Sequence, residues 1–199
     1  MVATQKLESE RYSQGHLLVC GIDEVGRGSL AGPLVAASVI LPVGFTAELD
    51  DSKKLSKKIR ADLSQLIKQQ ATAYGLGWVS NDEIDSFGLT NSVQLAYIRA
   101  LEEMNAGFSH LIIDGNYDYL SSFGVSETLI AADSKVACVA AASILAKVER
   151  DNFMIAQAEN HPAYGFENNV GYGTKKHLGA LSEKGLSRLH RRSFCRRYL

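Results

Sequence analysis

Cysteine is scarce in this sequence, and the familiar marks of a secreted or membrane chain are missing. The 199 residues hold three cysteines, Cys20, Cys138 and Cys195, far apart and odd in number. No Cys-x-x-Cys pair suggests zinc, and two of the three lie in apolar runs. Reduced, structural thiols in an intracellular protein are the expectation. No unbroken apolar run reaches membrane-spanning length, and the first residues lack a signal peptide's apolar core. A cytoplasmic protein without a membrane partner is therefore predicted. Internal repeats, low-complexity tracts and linkers are also absent. Net charge is only −1, which argues against a protein that coats nucleic acid by bulk electrostatics. The 46% hydrophobic and 22% charged content is ordinary for a soluble globular protein. The length suits one compact domain over residues 1–199, with a helical C-terminal portion from about residue 161, working as a monomer.

The charge that is present is clustered. Lys53, Lys54, Lys57 and Lys58 form one group, and Arg188, Arg191, Arg192, Arg196 and Arg197 another near the C-terminus. Each group suits phosphate contacts, and each suits a solvated helix face equally well.

Apolar periodicity predicts an α/β layered fold. Residues 17–22 and 34–41 are nearly continuous apolar runs, the second bounded by Pro33 and Pro42, as in buried central strands. Residues 72–79, 111–113 and 129–132 read as further strands. Ser56 is a candidate N-cap for a helix whose face is Ile59, Leu63, Leu66 and Ile67. A second amphipathic helix is expected from Thr90 to Met104, stopped by Gly107. A third, alanine-rich and apolar almost all round, is expected over 136–146 with a polar continuation to Asn152.

Three carboxylates each follow an apolar strand-like run: Asp23, Asp114 and Asp133. Parallel neighbouring strands ending together would bring Asp23 and Asp114 to one sheet edge. Burying an unpaired carboxylate costs several kcal/mol, whereas Mg²⁺ and Mn²⁺ favour oxygen ligands of this kind. Side chains alternate along a strand, so Asp23 and Glu24 share a cavity only if the backbone turns at Glu24. Each residue also has a plainer reading. Asp23-Glu24 suits a solvated strand end, Asp114-Gly115-Asn116 a turn, and Asp133 the cap of the helix near Val136, worth about 1 kcal/mol.

The stretch Gly21-Ile22-Asp23-Glu24-Val25-Gly26-Arg27-Gly28-Ser29-Leu30-Ala31-Gly32-Pro33 is far more specific than any of these alone. It resembles the first motif of the type 2 ribonucleases H, and more narrowly bacterial ribonuclease HII. Ile113-Asp114-Gly115-Asn116, Ala132-Asp133-Ser134-Lys135-Val136-Ala137, Asp51-Ser52-Lys53-Lys54-Leu55-Ser56, Gly171-Tyr172-Gly173-Thr174 and His190-Arg191-Arg192-Ser193-Phe194 resemble later motifs in the same order. The resemblance spans about Gly21 to Phe194. It implies a ribonuclease H-like mixed β-sheet flanked by helices, with two divalent ions, Mg²⁺ or Mn²⁺, held by Asp23, Glu24, Asp114 and Asp133. The implied substrates are RNA/DNA hybrids and DNA duplexes containing ribonucleotides. Gly26-Arg27-Gly28 would read the ribose 2′-hydroxyl, Tyr172 would pack on the deoxyribose that follows, and Lys53 would contact phosphate. The tail motif implies phosphate contact or packing against the catalytic domain. Residues 140–148 also resemble the family, in a structural role. Two positions depart from its pattern. Asn168-Asn169 stands where a histidine is common, and Cys195-Arg196-Arg197 follows the tail motif where a proline is common. The related ribonuclease HIII branch carries a large N-terminal domain, usually lacks this arginine and has glutamate as its fourth ligand. Arg27, Asp133 and the 22 residues before Asp23 favour HII. A ribonuclease H-like nuclease acting on DNA alone, and a hybrid-binding module without activity, are the rival expectations.

Overall fold

A computed structural model describes residues 2–198, so both ends of the expected domain, Met1 and Leu199, lie outside it. Five strands form one mixed sheet: β1 (Val19–Val25), β2 (Leu34–Ile40), β3 (Ala73–Val79), β4 (His110–Asp114) and β5 (Ser126–Leu129), in the order β3-β2-β1-β4-β5. β1 and β2 are antiparallel, as are β2 and β3, whereas β1, β4 and β5 run parallel. Helix α1 (Lys6–Ser13) precedes the sheet, and α2 (Lys57–Gln70) and α3 (Asn81–Met104) lie before β4 in sequence. Helix α4 (Ala137–Ala158) follows β5, and then come α5 (Phe166–Asn169), α6 (Lys175–Lys184) and α7 (Arg192–Cys195).

The period of two sorts the central strands between two cores. Val19, Val35, Ala37 and Val39 pack under α4 with Val139, Ala142 and Leu145. The alternate residues Cys20, Ile22, Leu34 and Ala36 pack under α3 with Val93, Ala96, Tyr97 and Ala100. Both faces of β1 and β2 are thus covered, which explains their near-continuous apolar runs. Gly21 lets α4 lie directly on β1, because a Cβ there would strike the backbone at Cys138 and Val139. A third cluster, with Leu30, Ala31, Met154, Tyr164, Phe166, Val170 and Leu181, joins the C-terminal helices to α4. The three cysteines are buried and unpaired.

Several expectations shift. Ser56 does cap α2, its Oγ accepting from the Ile59 amide at 3.3 Å. Helix α3 begins nine residues before Thr90, at a capping box between Ser80 and Glu83, and kinks at Gly88 with φ +76°. It ends on left-handed Asn105, not at Gly107. The last strand ends at Leu129 rather than starting there, because Ala131 turns left-handed with φ +56° into a short 3₁₀ turn, Ala132–Ser134. Asp133 therefore lies in that turn and does not cap α4. The cap comes from α1, where Glu8 Oε1 accepts from the Cys138 amide at 2.9 Å. Among the described residues no helix is long and apolar enough to cross a membrane.

Candidate active site

Register brings the first two carboxylates side by side. β1 pairs with β4 only as far as Ile22 and Ile113. The next residue on each strand is an aspartate, Asp23 and Asp114. On that flank the ladder has stopped, so the sheet is open beside both carboxylates. The turn expected at Glu24 comes later. β1 runs on through Val25 against β2, and Gly26 turns with φ +89°, where a Cβ would meet Arg150 and the Pro33 carbonyl. Asp23 and Glu24 consequently leave opposite faces of the strand. Asp23 turns to the α4 side, where its carboxyl takes hydrogen bonds from the Ser143 hydroxyl and, at 2.7 Å, from the Glu24 amide. Glu24 turns to the α3 side and accepts from the Tyr97 hydroxyl. Both still line one cavity of about 290 Å³, together with Val25, Ser52, Lys53, Ser143, Lys147 and Tyr172.

Asp114 and Asp133 stand outside that lining yet act on it electrically. Asp114 Oδ1 accepts from the Ala132 amide at 2.7 Å, which fixes the turn carrying Asp133. Burial, then the charges of Glu24 and Asp114, push the Asp23 carboxyl well above its ordinary range. Burial also raises Glu24, against the opposing pull of Tyr97 and Arg27. Asp133 is raised by burial and by Asp114 and Asp51. Lys53 Nζ lies 3.7 Å from Asp133 and 3.9 Å from Asp51. Burial opposes the lysine's charge, but Asp51, Asp133, Asp23 and Asp114 outweigh it and hold the ammonium above its ordinary value.

Arg27 turns back toward the acidic group. Its guanidinium lies 3.5 Å from Glu24 Oε1 and donates to the Tyr119 hydroxyl at 3.1 Å. Gly28 is not hemmed in, since a Cβ there would meet nothing within 4 Å. The Tyr172 ring closes the other side of the cavity, with Lys147 Nζ 5.8 Å and the Arg150 guanidinium 5.4 Å from its centre.

Four hard oxygen donors, three of them with raised carboxyls and the charge of Asp114 acting on all three, suit divalent cations by chemistry and by charge. As they stand, among the described residues no three His, Cys, Asp or Glu side chains converge closely enough to hold an ion.

A family model described as Ribonuclease HII matches residues 20–197. The chain belongs to the ribonuclease HII family. Ribonuclease HII from Chloroherpeton thalassium is 45% identical over 181 residues, covering 88% of this chain and 89% of that protein. Among solved structures, the ribonuclease H2 from Pyrococcus horikoshii OT3 superposes with a TM-score of 0.79 at 23% identity, covering 92% of this chain and 97% of that one. Bst-RNase HIII in complex with Mn²⁺ superposes at 0.65 with 21% identity, covering 85% and 63%. These two likenesses show the fold: the α/β mixed sheet is that of the ribonucleases H. As a ribonuclease HII family member, the protein is a ribonuclease H, a hydrolase acting on nucleic acid.

Several residues around this ribonuclease H site escape sequence reasoning. Tyr97 belongs to the apolar stripe of α3, and nothing in that stripe tells a tyrosine whose hydroxyl holds Glu24 from one that only packs. Ser143 and Lys147, spaced i and i+4 in the stretch given a structural role, both face the cavity; that spacing was the available signal. Arg191 belongs by sequence to a C-terminal arginine cluster that suits phosphate contact or a solvated helix face. It is fully buried instead, donating to the carbonyls of Gly32 at 3.0 Å and Arg27 at 3.1 Å. Arg188, Arg192, Arg196 and Arg197 are exposed, as are Lys53, Lys54, Lys57 and Lys58. Asn169 fills the place where the family often has histidine. Its Oδ1 accepts from Gly171 and its Nδ2 donates to Tyr164, closing the turn before Tyr172.

Proposed function

We propose that this ribonuclease H cuts the RNA strand of RNA/DNA hybrids and incises 5′ of single ribonucleotides embedded in duplex DNA, using two divalent ions, Mg²⁺ or Mn²⁺. It would serve ribonucleotide removal during DNA replication and repair. The observation that carries the reading is the gathering of Asp23, Glu24 and Asp133 around the charge of Asp114, which helps raise all three, with Arg27 beside Glu24 and Tyr172 lining the cavity.

In this reading Asp23 and Asp114, from adjacent strands, and Asp133, from the turn that Asp114 holds, supply oxygen ligands. Glu24 completes the set, oriented by Tyr97 and Arg27. Bound there, a divalent pair supplies an acidified water and neutralises charge on the leaving oxygen. Water adds to the phosphorus 5′ of the ribonucleotide and the bond to the preceding 3′ oxygen breaks. The products are a 3′-hydroxyl and a 5′-phosphate. Gly26-Arg27-Gly28 offers backbone groups and a guanidinium to the 2′-hydroxyl, the only group that distinguishes RNA from DNA at that step. Tyr172 packs on the following deoxyribose, and Lys53 pairs with a phosphate once a cation has taken over Asp133.

The test is a DNA duplex with one ribonucleotide, incubated with and without Mg²⁺ beside an all-DNA duplex and an RNA/DNA hybrid. Cutting on the 5′ side of the ribonucleotide, dependent on metal, is expected. Equal cutting of the all-DNA duplex, or cutting that survives chelator, would defeat the reading. Asp114→Asn should lose cleavage and keep duplex affinity, which separates an enzyme from a binding module.

A further inference from the structure

His177 and His190 have no part in the chemistry above, yet both are buried and their rings face each other with the two Nε2 atoms 2.9 Å apart. Two partners at the far nitrogens are of fixed polarity, and the third, the Ser187 hydroxyl 2.8 Å from His190 Nδ1, can donate or accept. The Ser187 amide can only donate, and it lies 2.9 Å from His190 Nδ1. That nitrogen therefore presents its lone pair, and the ring's proton sits on Nε2. The Tyr172 carbonyl can only accept, and it lies 2.9 Å from His177 Nδ1. That nitrogen therefore carries the hydrogen, leaving His177 Nε2 to accept from His190. One arrangement of protons satisfies all three contacts: Ser187 N–H to His190, His190 Nε2–H to His177, His177 Nδ1–H to Tyr172. A further proton would set two N–H groups against each other. Tyr164 and Phe166 pack on the pair, with ring centres 4.8 Å from His190 and 5.4 Å from His177 respectively.

We propose that His177 and His190 are positioning residues, a proton-ordered pair through which the C-terminal segment sets Tyr172 at the edge of the carboxylate cavity. The proposal rests on the reading of Tyr172 as a substrate contact. The Tyr172 carbonyl takes one further hydrogen bond, from the Thr174 amide at 2.8 Å, and the Tyr172 amide donates to the Asn169 carbonyl at 2.9 Å. The Gly171 carbonyl is held by the Leu30 amide at 2.8 Å and the Val170 carbonyl by Arg150 at 2.9 Å, and the histidine pair ties the Tyr172 carbonyl itself to residues 187–191. His190 is itself tied down by an antiparallel bridge to Ala31. The next residue, Arg191, donates to the Arg27 carbonyl. Residues 187–191 thus reach both proposed readers, Tyr172 through two imidazoles and Arg27 through one guanidinium.

Two measurements on the full-length protein test this. Nitrogen-15 shifts of the imidazoles should give an Nδ1–H tautomer for His177 and an Nε2–H tautomer for His190. In steady-state cleavage of the single-ribonucleotide duplex with Mg²⁺, His190→Phe should raise KM about tenfold and change kcat less, the scale of one lost buried hydrogen bond. His190→Gln places an amide donor where Nε2–H stood and should recover most of that loss. The opposite tautomers overturn the proposal, as does a wild-type KM in His190→Phe, or a His190→Gln no better than His190→Phe. If His190→Phe does not fold, the tautomers and His190→Gln decide. A wild-type protein that leaves the ribonucleotide uncut would sink the functional reading, while the tautomers would still judge the histidine pair.

Discussion

At the open end of the sheet, Asp23, Glu24 and Asp133 are buried or half-buried with their carboxyls pushed up by desolvation and by neighbouring negative charge. In the C-terminal part, Arg150 and Arg191 are fully buried too, but what surrounds them is chiefly backbone carbonyl. Arg150 donates to Pro33 at 2.8 Å, Val170 at 2.9 Å, Ala31 at 3.1 Å and the Ser29 hydroxyl at 2.7 Å, with no carboxylate among these partners. Desolvation lowers its pKa, and it lowers that of Arg191 to about 9. The first region holds charge that Arg27 and Lys53 offset only in part. The second satisfies most of its polar groups internally, so it fixes geometry. A site proposed to take up cations and a scaffold that fixes geometry differ in their electrostatics in this way.

Asp23→Asn should sharpen this contrast most. Cleavage should fall by on the order of a thousandfold or more, the scale on which a preorganised charge acts. The metal-free protein should nevertheless melt higher than wild type at pH 7, because the substitution removes a carboxyl whose ionisation burial and its neighbours penalise in the fold. A carboxyl whose folded pKa is raised favours the fold when protonated, and that contribution is lost as pH rises through the raised value. A lower melting temperature for Asp23→Asn at pH 7 would mean that the carboxylate is satisfied inside the protein, and the contrast would break.

Arg150→Leu should show the opposite. It leaves the carbonyls of Pro33, Ala31 and Val170 without this donor, and unsatisfied buried acceptors cost about 1–3 kcal/mol each before relaxation. A net loss of about 3–5 kcal/mol is expected from denaturant unfolding. Loss below about 1 kcal/mol would show that water or a neighbour replaces the guanidinium, and the region would not be the scaffold described.

Acid should also separate the regions. Burial, then the nearby His177, holds His190 down to about 4, against an ordinary value of 6.5. A histidine depressed in the folded state stabilises the fold above its unfolded pKa, and that stability is lost as pH falls from 6.5 toward 4. Over the same range the raised carboxyls gain protons and favour the fold. Amide protection factors, corrected for the slower intrinsic exchange at pH 5, should therefore fall around Tyr164, Tyr172 and Leu181 before they do so around Ile22 and Ile113. A uniform fall in protection would put both regions in one electrostatic class.

Much of the fold was legible because apolar pattern and burial coincide. The runs at 34–41 and 72–79 became β2 and β3 nearly residue for residue, since both faces of β2 are covered and Pro33 and Pro42 bound it. Helix α1 was not legible: Lys6–Ser13 has almost no apolar face, and its one fully buried side chain is the charged Glu8. The early start of α3 left a signal in Ser80 and Glu83, but Gly88 broke the periodicity that was followed. At the site, Asp23 and Asp114 could be found because each ends an apolar run. Asp133 could not be separated from a helix cap until Glu8 was seen in that role. Arg150 and His177 were invisible as a scaffold, because charged and polar residues read as solvent-facing unless their carbonyl partners are known, whereas for His190 and Arg191 the packing alternative of the tail motif was the available signal.

Lys53 lies between the two classes and gives the smallest effect. Its side chain is exposed, and its ion pair with Asp133 at 3.7 Å is loose, so Lys53→Ala should change stability by less than about 0.5 kcal/mol. Its place is electrostatic. It leans over the carboxylates in the free protein, and in the proposed reading it would be released toward substrate when cations take them over. Loss of one phosphate contact should weaken duplex affinity several-fold and reduce the slope of log affinity against log salt by about 0.9. An unchanged slope would assign Lys53 to the carboxylates alone. In that case the substitution should raise the pKa of Asp133, whose charge Lys53 helps to hold, and move the pH profile of metal binding upward instead.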